Sequence, residues 1–135
     1  MKVVRPFKIV GAGYCLPSKC VHSQEMEKEL GLPVGWIYKY SGVEKRHLAA
    51  TESNSWLGAE ALKKAMRNAG LQPEDLGCLI AASATFDYPL PNKASMIKHE
   101  LGWHDTDLGC IDIDTTCRSF VTALDYASRL LNNSD

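Results

Sequence analysis

The alternation of apolar and polar positions changes period several times along the chain, and each change marks an element. Phe7-Lys8-Ile9-Val10 reads as a strand running into Gly11-Ala12-Gly13, with a turn at Leu16-Pro17. Ser23 is the predicted N-cap of a helix over 24–30 that stops at Gly31. Pro33 suits the first turn of a second short helix through Trp36 and Ile37, ended near Ser41-Gly42. Residues 43–49 are polar without a clear period, which suits a loop or an edge strand. Leu62, Ala65, Met66 and Ala69 recur at helical spacing, so a helix is predicted over 54–70, capped by Ser53 or Asn54 and ended by Gly70.

Pro73-Glu74-Asp75-Leu76 makes a single turn, and the apolar run 77–83 then reads as a strand covered on both faces. A proline-marked loop at 87–91 precedes a helix capped by Asn92 and running to Leu101-Gly102. Residues 108–114 alternate as a strand does. From Cys117 the period turns helical, with Cys117, Phe120, Val121, Leu124, Ala127 and Leu131 on one stripe. That stripe is predicted to pack onto the sheet. Strands and helices alternate with short connections, which is an α/β pattern without internal repeats.

The 135 residues suit one domain and are too few for two ordinary ones. Hydrophobic residues at 45% and charged residues at 23% match a soluble globular protein. A net charge of −1 gives nucleic acid or an anionic membrane no electrostatic hold. No apolar run approaches the ~20 residues of a membrane helix. The first residues lack the apolar stretch of a secretory signal, and five cysteines is an odd number. A cytoplasmic protein with reduced thiols is therefore expected. Cys78 and Cys110 lie in apolar segments and read as small hydrophobes, and Cys15, Cys20 and His22 lack the further ligands of a metal site, so no metal is expected.

Two segments invite chemistry. Gly11-Ala12-Gly13 has the start of a dinucleotide fingerprint, but Leu16 stands at the third glycine and a proline turn follows. Tight-turn glycines are the better reading. The junction Ile111-Asp112-Ile113-Asp114-Thr115-Thr116-Cys117-Arg118-Ser119-Phe120 puts a cysteine where a strand gives way to a helix. Unpaired N–H groups and the positive end of the helix dipole favour thiolate there, and the end of a strand is where α/β folds bind ligands. Asp112 and Asp114 would oppose this if they faced the thiol. The junction alone leaves Cys117 between an activated nucleophile and a small core cysteine.

An ordered set of patterns resembles the ketoacyl-carrier-protein synthase III family of thiolase-fold condensing enzymes. These are Gly11-x-Gly13-x-x-Leu16-Pro17, then Trp36-Ile37 followed by Gly42, Arg46 and His47. Ala69-Gly70, Leu79-Ile80, and Asp112 five residues before Cys117 complete the set. The resemblance runs from about Lys8 to Leu131. It implies a thiolase-like layered α/β fold, of which residues 1–135 are a partial N-terminal half-domain, with a second half expected beyond them. It implies that Cys117 takes an acyl group from coenzyme A as a thioester, and that malonyl-carrier protein loses carbon dioxide and attacks it. Coenzyme A thioester would be a substrate, with no resident cofactor, and the full-length enzyme would be a homodimer. Trp36 falls where the family stacks a tryptophan on adenine, although it also suits a core anchor. Leu90 falls where the family's dimer loop meets the partner's acyl tunnel.

Three departures stand out. Tyr40 occupies the place of an arginine for the coenzyme A phosphates, leaving Lys39 as the nearest cation. Arg118-Ser119 replaces a small residue and glycine after the nucleophile. The family's catalytic histidine and asparagine belong to the second half, and none of His22, His47, His99 and His104 matches them; each reads as a surface or loop histidine. The resemblance equally admits long-chain head-to-head and polyketide-starter relatives. A non-catalytic acyl-binding or dimerising module is the rival for this polypeptide alone.

Overall fold

A computed structural model describes residues 5–132 of the chain. The chain divides into two compact units, Cys15–Ser53 and the remainder on either side of it, from the N-terminus to Tyr14 and from Asn54 onward.

The Cys15–Ser53 unit holds strand β1 (Lys19–His22), helices α1 (Ser23–Leu30) and α2 (Trp36–Ser41), and strand β2 (Lys45–Leu48). β1 and β2 pair antiparallel, with Cys20 opposite His47 and Val21 opposite Arg46. The edge strand among the alternatives for 43–49 is the one that forms. Ser23 is the first residue of α1 rather than its cap. Its hydroxyl donates to the Val43 carbonyl at 2.6 Å, tying the helix to the strand instead. Glu27 is 1% exposed, and its carboxylate accepts from the N–H groups of Gly35 (2.8 Å) and Ile37 (2.7 Å). A carboxylate at these first amides satisfies donors that a six-residue helix cannot satisfy internally. It thereby fixes the start of α2, where Trp36 sits.

The other unit contains α3 (Asn54–Ala69), β3 (Cys78–Ala82), α4 (Lys93–Glu100), β4 (Gly109–Ile113) and α5 (Ser119–Asn132). β3 and β4 are parallel, in register from Cys78–Gly109 to Ala82–Ile113, with α4 in the crossover between them. Ala59, Ala81, Ala94 and Ile97 form the buried centre, with Leu62, Leu79, Leu101 and Cys110 packed around it. Asn92 caps α4 as the sequence predicts, its side chain accepting from the Ser95 N–H at 3.2 Å. Gly70 and Gly102 close α3 and α4 in the left-handed region. No helix among the described residues is long and apolar enough to cross a membrane.

Two expectations change. Residues 7–10 join no ladder among the described residues, because a period-2 pattern makes a strand only where a neighbour supplies hydrogen bonds. The segment is held by close packing instead. A Cβ on Gly11 would lie 2.4 Å from the Ala65 carbonyl oxygen, and one on Gly13 2.4 Å from that of Ala61. Asp87, from the loop after β3, accepts from the N–H groups of Asn54 and Ser55 at the start of α3. Finally, α5 meets β3 and β4 through a face of small residues, with Ser119, Ala123 and Ser128 buried. Phe120, Val121 and Leu131 are about two-thirds exposed, at 65%, 63% and 65%. Small side chains let a helix approach a sheet closely, so the sheet takes that face rather than the bulkier stripe.

Candidate functional site

β4 leads directly into the turn that carries Cys117. β4 ends at Ile113, a single 3-10 turn covers Thr116–Arg118, and α5 begins at Ser119, two residues after the position the sequence suggested. Thr116 has φ of 54°, in the left-handed region. A β-branched residue is an outlier there, and holding one costs on the order of 1–3 kcal/mol.

The surrounding bonds hold it in place. Thr116 N–H donates to Asp114 Oδ1 at 2.9 Å, and Arg118 N–H donates to the Thr115 carbonyl at 3.1 Å. Ser119 is buried; its Oγ accepts from Thr115 N–H at 3.0 Å and donates to the Thr116 carbonyl at 2.7 Å. The Thr115 and Thr122 hydroxyls lie 3.0 Å apart. Cys117 lies on this turn and is exposed.

The two aspartates before it are engaged elsewhere. Asp114 holds Thr116, and Asp112 accepts from the N–H groups of Lys93 (2.7 Å) and Ala94 (2.8 Å) at the start of α4. Asp112 thus binds the strand before Cys117 to the neighbouring helix. Lys93 is buried and donates through Nζ to the Thr85 carbonyl. Burial pushes its pKa down, against the pull of Asp112, Asp87 and Asp114.

In the Cys15–Ser53 unit, Trp36 is 43% exposed. Its ring centroid lies 4.8 Å from that of Tyr40 at a 48° tilt, and Lys39 Nζ stands 5.2 Å from the Tyr40 ring. The residue in place of the family's arginine is therefore an aromatic neighbour of Trp36. The spacing i, i+4 on a helix was the available signal for this pair. Leu90 is 84% exposed in a loop that also presents Phe86 and Tyr88.

The remaining candidates carry no cluster. Cys20 is exposed, while Cys15, Cys78 and Cys110 are half-buried. His22, His99 and His104 are exposed, and His47 meets the Pro17 carbonyl through Nδ1 at 2.7 Å. Among the described residues no group of three or more His, Cys, Asp or Glu is arranged to hold a metal ion.

The chain matches no protein-family model. It is 37% identical over 124 residues to a beta-ketoacyl-acyl-carrier-protein synthase III of Cereibacter sphaeroides, covering 91% of this chain and 38% of that protein. Its fold superimposes on the crystal structure of 3-oxoacyl-acyl-carrier-protein synthase III from Aquifex aeolicus with a TM-score of 0.86 at 30% identity. That match covers 93% of this chain and 40% of the other. By sequence and by fold, the chain is similar to ketoacyl-acyl-carrier-protein synthase III proteins. The thiolase fold of the synthase III proteins is the layered α/β architecture expected from the sequence. The chain spans under two fifths of the length of the curated synthase III relative, 38%. A priming beta-ketosynthase of the R1128 polyketide pathway also matches, with a TM-score of 0.81 at 25% identity over 95% of this chain and 39% of that one. Proteins similar to this chain thus include a ketosynthase of a polyketide pathway.

Sequence reasoning named Asp112 but not its hold on the first amides of α4, and nothing about threonine announces the positive φ of Thr116.

Proposed function

We propose that the protein is a transferase that makes a carbon–carbon bond by decarboxylative condensation, with Cys117 as the acyl-accepting nucleophile. The observation that carries this reading is the exposed Cys117 on a strained turn at the end of a parallel strand, in a chain similar to synthase III proteins. In the first half-reaction the Cys117 thiol loses its proton and Sγ attacks the acyl-coenzyme A carbonyl. The carbon's bond to coenzyme A sulfur breaks, and coenzyme A leaves as the thiol with that proton. In the second, the bond to the malonyl carboxylate breaks and its electron pair remains as a carbanion, while carbon dioxide departs. The carbanion attacks the Cys117 thioester, its carbon–sulfur bond breaks, and the released thiolate takes a proton from water.

Trp36 and Lys39 are the coenzyme A contacts in this reading, and Leu90 belongs to a loop shared between two subunits. The donors that stabilise the enolate and thioester oxyanions would lie outside residues 1–135, as the resemblance implies. No resident cofactor is required, and the setting is the cytoplasm. The likeness to a polyketide priming enzyme supports a second reading, in which the primer and carrier belong to polyketide assembly.

The test uses the full-length gene product with acyl-coenzyme A and malonyl-carrier protein. Intact-protein and peptide mass spectrometry should find one acyl group, on Cys117, and a ketoacyl-carrier product; Cys117→Ser should abolish both. Acylation of Cys20 instead, with Cys117 inert, would overturn the assignment.

A further inference from the structure

Arg118 follows the nucleophile and is exposed on the same turn. Its backbone N–H closes the turn on Thr115, but its guanidinium has no hydrogen-bond or ion-pair partner among the described residues. The nearby acids are committed to backbone amides, Asp112 to Lys93 and Ala94 and Asp114 to Thr116. Two other cations of this unit are spent, Lys93 on Thr85 and Arg129 on Asp125 at 2.9 Å. Arg118 is thus a free cation placed beside the reactive sulfur.

We propose that Arg118 selects the acyl group, and that Cys117 takes short acyl chains ending in a carboxylate, which Arg118 holds. This rests on the acylation of Cys117 proposed above. Consecutive Cα atoms lie about 3.8 Å apart, so the guanidinium sweeps the space around any short group carried on Cys117 Sγ. Its planar fork of N–H donors matches the two oxygens of a carboxylate. A plain alkyl chain is the worse occupant, because it would strip water from an unpaired cation without returning a hydrogen bond. The malonyl carboxylate is also a poor partner. That group must leave as neutral carbon dioxide, so binding its charge tightly stabilises the ground state and not the transition state. In the acylation step the distal carboxylate is a spectator: Cys117 Sγ gains the acyl carbon, coenzyme A leaves as the thiol, and no other bond changes.

Two measurements on the full-length protein test this. The first compares alkylation of Cys117 by iodoacetate and iodoacetamide, mapped by mass spectrometry. The iodoacetate-to-iodoacetamide rate ratio should fall about tenfold in Arg118→Ser, the effect of losing one charge-assisted hydrogen bond, and less in Arg118→Lys. The second compares acylation of Cys117 by succinyl- and butyryl-coenzyme A. The succinyl-to-butyryl ratio should exceed one in the native protein and fall about tenfold in Arg118→Ser on the same grounds. Ratios that ignore residue 118 overturn the proposal. If neither thioester acylates Cys117 while the alkylation ratio follows Arg118, acyl transfer falls and carboxylate recognition stands. If butyryl-coenzyme A acylates Cys117 and the ratios are indifferent to Arg118, acyl transfer stands and carboxylate recognition falls.

Discussion

Asp87 holds Ser55 across thirty-two residues of chain. Its Oδ2 accepts the Ser55 N–H at 2.8 Å and the Ser55 hydroxyl, while Oδ1 accepts the Asn54 N–H at 2.7 Å. Desolvation pushes the Asp87 carboxyl up, but the bonds from Ser55 and Asn54, with Lys93 nearby, carry it below the usual carboxylate range. Asp87→Ala should therefore destabilise the fold by about 1–2 kcal/mol, the range for a lost helix cap. Because the folded-state pKa is depressed, this contribution is complete above the ordinary carboxylate pKa and is lost as pH falls through the lowered value. Denaturant melts of native and variant protein should converge in acid. A constant gap down to low pH would show that Asp87 acts by packing rather than charge.

Gly13→Ala should cost about 1–3 kcal/mol, since the new Cβ would sit 2.4 Å from a backbone oxygen of α3. Gly77→Ala, which meets nothing within 4 Å, should be neutral or stabilising by under ~1 kcal/mol. Thermal melts of the pair provide an internally controlled comparison, and equal effects would argue against the close approach of the 5–14 segment to α3.

Thr116→Asn should relax the left-handed position, because asparagine tolerates it better than a β-branched residue. A stability gain of up to ~1 kcal/mol is expected, offset in part by the lost bond from the Thr116 hydroxyl to the Thr115 carbonyl. A clear loss of stability, read by chemical denaturation, would mean that this hydroxyl outweighs the strain.

Trp36→Ala should weaken coenzyme A binding by about 1–3 kcal/mol if the indole stacks on the adenine. Tyr40→Ala separates the two roles of this aromatic pair. It should red-shift a Trp36-only emission spectrum, obtained with Trp56 and Trp103 replaced by phenylalanine, because a 4.8 Å neighbour has gone. An unshifted spectrum would show that the pair does not persist in solution.

Replacing Phe120 and Val121 by serine should reduce self-association of the 135-residue chain without lowering its melting temperature by more than a few degrees. The buried face of α5 is Ser119, Ala123 and Ser128, so neither substitution touches the sheet. Sedimentation at several concentrations would read the first effect, and calorimetry the second.

The features legible in the sequence were those with local causes. Asn92 caps α4 from the adjoining position, and Gly31, Gly70 and Gly102 end helices where the pattern stops. Cys117 was legible as a junction residue because the period changes there. What escaped was decided at a distance. Residues 7–10 have a strand's alternation, but only a neighbour could make them a strand. In α5 the periodicity showed two faces and could not say that the sheet would take the smaller side chains. Asp87 and Asp112 looked like loop and strand aspartates until the fold delivered helix amides to them.

The interruption of one unit by another sets an order of events during synthesis. The segment through Tyr14 emerges first, yet the backbone that Gly11 and Gly13 press against, at Ala61 and Ala65, follows only after the whole Cys15–Ser53 unit has been made. The early segment must wait, uncommitted, while the intervening unit settles. A nick within that unit would leave residues 5–14 attached to α3 by close packing and by the hydrogen bonds from Lys64 to the Tyr14 carbonyl and from Asn68 to the Ala12 carbonyl. A peptide carrying Gly11 and Gly13 could then be supplied in trans, and a chain begun after Tyr14 would be its receptor.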